Sequence, residues 1–305
     1  MRICIISNCR AGSSATADEF FEAAACHPDV VLKYTEGEDD AKRFAAEAVR
    51  EGFDVVAAAG GDGTIHTVVN GLEKDFGRVC LGVIPLGTGN DFPRTLAIPE
   101  DPCQALALLG SGIERPIDLM RVEAGGHVVY GVNMAAGGFA GQMQEALPDL
   151  KRQFGPLAYL LGAVTTLPEM TEYATRIRFD DAPPEEITAV NIVVANGRTA
   201  GGGHVLAPQA NPEDGLLDVV IVRAGPLLDL ASLSVQYLAG NYLDHEQVLF
   251  RRARRIEIQS EPPMQFEVDG ELLPEGAITF QVVPRALRAI VGPGYSADVT
   301  ANATP

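Results

Sequence analysis

The hydrophobic pattern divides the chain into two halves of different rhythm. Over the first 120 or so residues, short apolar runs of strand length cover residues 3–7, 30–34, 54–59 and 79–84. Between them Phe20, Phe21, Ala24 and Ala25, and then Ala41, Phe44, Ala45, Ala48 and Val49, recur at the spacing of a helix face. Further helices are expected over residues 64–72 and near 102–109. Unbroken apolar strands alternating with helices predict a parallel sheet covered on both faces. After Ile117-Asp118-Leu119-Met120 the rhythm changes. Residues 128–134, 175–179, 187–195, 216–222, 255–259, 265–268 and 277–283 read as strands, with helices only near 156–167 and 227–241. Residues 287–291 make a last short strand, and 292–305 read as a frayed tail. The fold class is therefore α/β plus β: an N-terminal parallel-sheet α/β domain and a C-terminal antiparallel, sandwich-like β domain.

Two turns in the first half carry candidate chemistry. Gly60-Gly61-Asp62-Gly63-Thr64 follows one apolar strand and Pro85-Leu86-Gly87-Thr88-Gly89-Asn90-Asp91 follows another. Each opens a helix, with Thr64 or Asp91 placed to cap it. Backbone N–H groups gathered at a helix N-terminus suit phosphate oxygens, and glycine permits their close approach. One such turn is an ordinary strand-to-helix connection. Two of them, a βα unit apart and each with a carboxylate, point to a polyphosphate site. Asp62 either meets a divalent cation or closes an Asx-turn, and Asp91 either caps its helix or takes part in chemistry. In the second half, Asp214-Gly215 and Asp269-Gly270 are hairpin signals in their own right.

The pair GGDGT and PLGTGNDF resembles the diacylglycerol kinase catalytic domain family, within the superfamily that also holds sphingosine kinases and NAD kinases. The likeness extends over nearly the whole chain through Gly201-Gly202-Gly203, Pro208 and Asp214-Gly215-Leu216-Leu217-Asp218, and through Asp269-Gly270-Glu271. It implies a lipid kinase using ATP and Mg2+. The nucleotide would meet Asn8, Thr35, Gly60, Gly61, Asp62, Gly63, Thr64, His66, Gly87, Thr88 and Asn90. A structural Mg2+ would sit on Asp214 with the carbonyls of Asn211 and Leu216, and catalysis would rest on Asp62 and on Glu271 as general base. It also implies that the chain end returns to the first domain. The domains are then residues 1–122, completed by 285–305, for the nucleotide, and 123–284 for the lipid acceptor. The sequence departs from the family at Asn8-Cys9-Arg10-Ala11-Gly12, where the family usually shows Asn-Pro-x-Ser/Ala-Gly, at His66-Thr67, where it commonly has Asn and Glu, and at Pro93, in place of a commoner small residue. A kinase of a soluble acceptor such as NAD, and a nucleotide-binding regulatory protein with impaired catalysis, stay open as alternatives.

Charge narrows the partners. A formal net charge of −18 over 305 residues argues against nucleic acid and against adsorption of the whole surface to anionic membranes. Local clusters remain: Lys151-Arg152 before an apolar stretch at 157–167, and Arg251, Arg252, Arg254 and Arg255, for which a solvated strand edge is the plain reading. The apolar stretch is too short to span a bilayer. Five cysteines without a C-x-x-C pair argue for a reducing compartment, and five histidines without zinc spacing argue against a soft-metal site. The expectation is a cytoplasmic protein that visits a membrane surface transiently for its lipid substrate, with a homodimer left open.

Overall fold

The computed structural model describes residues 1–8, 15–37, 39–72, 75–138, 170–238 and 240–297. Four parallel strands, β1 (Ile3–Asn8), β2 (Val30–Thr35), β3 (Val55–Gly60) and β4 (Cys80–Pro85), lie in the order β4-β3-β1-β2. Helices α1 (Ala15–Cys26), α2 (Asp40–Arg50), α3 (Asp62–Gly71), the short α4 (Asp91–Thr95) and α5 (Pro102–Ser111) alternate with them. β3 and β4 are buried at every residue, as strands covered on both faces must be. On α2 the buried residues are Ala41, Ala45, Ala48 and Val49, the predicted face. From β1 the chain steps to β2 on one side and to β3 on the other. That reversal leaves a crevice at the C-terminal strand ends, where such sheets bind ligands.

The expected caps are corrected by the helix starts. α3 begins at Asp62, with Gly61 as its N-cap, so Thr64 is already inside the first turn and donates its backbone N–H to Gly61 O at 3.0 Å. α4 likewise starts from Asn90, in the left-handed region at φ 52°, and its own Asp91 does not cap it. α5 starts as its sequence suggests, with Asp101 accepting from Gln104 N at 2.8 Å and Pro102 in the first turn.

Two long strands join the halves. β5 (Ile113–Ala124) pairs antiparallel with β17 (Ile278–Val291) along its length, and β17 also lies parallel to β4 at Arg288 and Ala289. Ile117, Leu119, Leu287 and Ala289 belong to the first core, whereas Met120, Val122, Phe280 and Val282 belong to the second. The two strands expected at 277–283 and 287–291 are thus one, interrupted by a register shift where Arg285 takes φ 52°.

Between them run β6 (His127–Gly131), β7 (Met134–Gly138), β8 (Tyr173–Phe179), β9 (Glu185–Ala195), the small pair β10 (Thr199–Ala200) and β11 (His204–Val205), β12 (Leu217–Arg223), α6 (Leu227–Leu238), β13 (Val248–Ala253), β14 (Arg255–Glu261), β15 (Phe266–Val268) and β16 (Glu271–Leu272). One edge of β9 carries β12, and the other carries β8 and then β7, so the sheet divides around its core. β8 alternates strictly between buried and exposed residues. Each Ile or Phe so buried contributes about 1.5–3 kcal/mol.

Three expectations need correction or placing. The strand at 128–134 is two, because the N–H groups of Val132, Asn133 and Met134 all turn to the carboxylate of Asp269. Residues 292–297 are not frayed: Gly292 N donates to Leu96 O at 2.9 Å, Tyr295 packs on the first core, and Arg198 donates to the carbonyls of Ser296 and Ala297. The helix near 156–167, with Lys151 and Arg152, lies outside the described residues.

Candidate active site

The parallel sheet delivers the first set of candidates to one edge. Asn8 and Thr35 end β1 and β2 side by side, and Gly60 ends β3 opposite Pro85 of β4. The two glycine loops then touch. Leu86 N donates to Gly60 O at 3.0 Å, and a Cβ on Gly87 would collide with the Cα of Gly61. Glycine is required here for loop-to-loop contact as well as for any ligand. Nothing stands within 4 Å of where a Cβ on Gly63 would be, and Thr88 is exposed. The N–H groups of Asp62 and Gly63, which have no partner within the helix, thus lie where the start of α3 borders open space, which fits phosphate oxygens. Asn90 is committed to its own loop: its Oδ1 accepts from Gly87 N at 3.1 Å and its Nδ2 donates to Gly87 O at 2.8 Å.

Asp62 crosses from one loop to the other. Its Oδ2 accepts from Asp91 N at 3.1 Å and its Oδ1 from Phe92 N at 2.9 Å, so it caps α4 and forms no Asx-turn in its own loop. Burial pushes its carboxyl up, and the carboxylates of Asp91 and Asp269 add to this against the two N–H groups. Asp91 faces the other domain, where its carboxylate accepts from Gly202 N at 2.8 Å and Gly203 N at 2.7 Å. The glycine-rich segment of the second half is therefore a partner for Asp91.

The hairpin at Asp269-Gly270 forms as predicted, with both turn residues at positive φ, 50° and 91°. Asp269, its side chain fully buried, accepts from Val132 N, Asn133 N and Met134 N at 2.7–3.1 Å and faces His66 Nδ1 at 3.1 Å. Glu271 Oε2 lies 2.9 Å from His66 Nε2, while 61% of the Glu271 side chain stays exposed. Burial alone would lower the pKa of His66, yet the two carboxylates raise it to about 9. In return the His66 hydrogen bond holds the Glu271 carboxyl below its usual range. Asn70 of α3 pins the same region to β6, donating to Tyr130 O and accepting from Tyr130 N. Both nitrogens of His66 are thus engaged by the second domain, which leaves its side chain no donor for a nucleotide. The sequence signals Asp269 only as a hairpin residue beside Glu271 and gives no sign of Asn70, so neither is marked as an anchor of this site. Their partners are as much as 203 and 60 residues away.

The Asp214 turn is built around acids. Asp118, fully buried on β5, accepts from Gly215 N and Arg285 N, both at 2.6 Å. Asp214 Oδ1 accepts from Leu216 N at 3.0 Å, and the carbonyl of Asn211 faces Asp214 N at 3.4 Å. Both carboxylate oxygens of buried Asp218 lack a hydrogen bond, and burial raises its pKa to about 6. This oxygen-rich, net-negative set fits a hard divalent cation in donor type and charge. Arg252 competes for it, since its guanidinium pairs with Asp214 Oδ2 and stands 3.5 Å from Asp218 Oδ1. Among the described residues no three His, Cys, Asp or Glu side chains converge as a metal cage, so a cation here would depend on main-chain carbonyls.

Known proteins share this layout. Residues 2–122 match the diacylglycerol kinase catalytic domain, and residues 133–291 match the YegS C-terminal NAD kinase beta sandwich-like domain. A Pseudomonas aeruginosa protein named "Probable lipid kinase YegS-like" is 39% identical over 264 residues, covering 85% of this chain and 84% of that protein. A Bacillus subtilis diacylglycerol kinase is 35% identical, covering 76% of each. The crystal structure of a diacylglycerol kinase from Bacillus anthracis aligns with a TM-score of 0.73 at 21% identity over 97% of this chain and 98% of that one, a likeness of fold. The two glycine loops, the Asp-Gly-Glu hairpin and the match along most of its length make this chain a member of the YegS-like lipid kinase family.

Proposed function

We propose that this protein transfers the γ-phosphoryl group of ATP, with Mg2+, to a primary hydroxyl of a lipid of the diacylglycerol type. The observation that carries the reading is the direct link from α3, which begins in the first glycine loop, to Glu271 of the second domain through His66. A phosphate-binding loop and a carboxylate with an exposed face thereby meet at one site. Phosphoryl transfer asks the protein mainly for positioning and electrostatic stabilisation. The N–H groups at the start of α3 and the loop ending at Asn90 would hold the polyphosphate, with Asn8 and Thr35 beside it at the strand ends. Mg2+, when bound, supplies the charge that lets phosphate approach Asp62 and Asp91. Glu271, anchored through Oε2, keeps Oε1 to accept the proton of the lipid hydroxyl, a step worth a modest factor in rate. A second cation at Asp214 would neutralise the acids of that turn and brace the domain junction near β5 and β17.

A soluble acceptor is the second reading, supported by the NAD kinase-like description of the C-terminal domain. Incubation with γ-labelled ATP and Mg2+, offering dispersed diacylglycerol, a sphingoid base or NAD in parallel, separates the two. Label in phosphatidic acid is expected, and label in NADP alone contradicts the proposal.

A further inference from the structure

We propose that His66 is a positioning residue for the general base: it holds Glu271 in register with the first glycine loop. The inference rests on the reading of Glu271 given above. His66 lies on α3, four residues beyond Asp62, and its side chain is only 3% exposed. Its two nitrogens face Asp269 Oδ2 at 3.1 Å and Glu271 Oε2 at 2.9 Å. Asp269 is held by three backbone N–H groups from Val132–Met134, so its carboxylate is an acceptor. An ionised Glu271 is likewise an acceptor only. The Asn70 amide also lies 3.2 Å from Nε2, but its two hydrogens go to the carbonyls of His66 and Tyr130. Both ring nitrogens then donate to the carboxylates, and the residue is an imidazolium held at both ends.

The geometry divides the work between the two acids. Asp269 is the anchor, held at the turn of the hairpin by three backbone N–H groups, its side chain out of contact with solvent. Glu271 is the working end, mostly exposed, with one oxygen tied and the other available. On a two-residue turn followed by the two-residue strand β16, an untethered glutamate would sample several rotamers over open solvent. The tether selects among them and references the carboxylate to α3, the helix that begins at Asp62. Lys42 of α2 is the remaining cation whose field reaches Glu271, and it makes no hydrogen bond there. The family's common Asn at this position has one donating group, whereas the histidine reaches two acceptors on opposite ring edges.

Transfer from ATP to diacylglycerol in mixed micelles is measured for the wild type, His66→Leu, His66→Gln, Glu271→Gln and the double variant His66→Leu/Glu271→Gln. ATP affinity and the melting curve are followed alongside. We expect His66→Leu to lower kcat at least tenfold with ATP affinity within twofold, and His66→Gln, which keeps one donor, to recover part of the loss. In the Glu271→Gln background, His66→Leu should change kcat by less than twofold, because the group it positions is already disabled. An equal loss in both backgrounds, or a loss of ATP affinity at unchanged kcat, overturns the proposal in favour of a structural role or a nucleotide contact. If His66→Leu does not fold, His66→Gln carries the same comparison. Wild-type kcat in Glu271→Gln overturns the base assignment itself, whereas a large loss there beside wild-type kcat in His66→Leu overturns only the role of His66.

Discussion

At the scale of single residues, the site depends on carboxylates that have more than one partner. Asp62 caps α4 with both oxygens, and in the proposed reaction it also stands beside the cation and the phosphate. Asp62→Ala should therefore abolish turnover and cost about 1 kcal/mol through the lost cap, within the usual range for such losses. Urea unfolding read beside the kinetics checks both effects, and full activity would remove Asp62 from the mechanism. His66 gives a pH signature. Its pKa is raised from 6.5 to about 9 in the folded protein, so the stability it contributes is complete below about pH 6.5 and is lost as pH rises through 9. The shift corresponds to at most about 3 kcal/mol. The stability difference between wild type and His66→Leu should be largest at pH 6 and shrink toward pH 10. A difference that is flat with pH would show that Asp269 and Glu271 do not hold the ring charged.

At the scale of elements, the loops are close-fitting because each is the other's wall. Gly87→Ala would drive a Cβ into the backbone at Gly61, so the loops must separate. The expected result is at least a tenfold loss of ATP affinity and about 1–3 kcal/mol of stability, read by calorimetry. Unchanged affinity would mean that the loops do not jointly hold the nucleotide. Asp91 and the N–H groups of Gly202 and Gly203 make a comparable contact between the domains. These elements show what the sequence can and cannot reveal. The parallel strands, the predicted face of α2 and the Asp-Gly hairpin follow from periodicity and turn chemistry, which are local. The split after β6 is not local, since it is caused by Asp269, more than 130 residues away. The arginine cluster at the end of β13 reads as a solvated strand edge, and its ion pairs are hidden because the partners of Arg252, namely Asp214 and Asp218, come from elsewhere in the chain. The tail looks free because Arg198, which ties Ser296 and Ala297, is equally remote. The glycine loops were legible in outline, whereas Asp62 as a cap and His66 as a bridge were not.

At the scale of the molecule, the proposed lipid acceptor would be held in a bilayer, which this acidic protein would have to meet. No helix among the described residues is long and apolar enough to cross one. Of the four clustered arginines, Arg252 is paired with Asp214 and Asp218, and Arg255 with Glu257. Arg251 and Arg254 stay exposed at the β13 end of the sheet, each worth about 1 kcal/mol beside an anionic leaflet. Binding to anionic vesicles should thus be weak, reversible and salt-sensitive, and Arg251→Ala/Arg254→Ala should reduce it. Sedimentation across a salt series tests this, and binding indifferent to salt and to both substitutions would contradict it. The central claim is that one site, shared by the two domains, moves phosphate from ATP to a lipid hydroxyl. Its most direct test measures labelled phosphatidic acid formation and ATP affinity together in the wild type and Glu271→Gln. The account predicts product from the wild type, and in the variant an ATP affinity within twofold with kcat reduced at least a hundredfold. Equal rates in the two proteins, or no lipid product from the wild type, would contradict it.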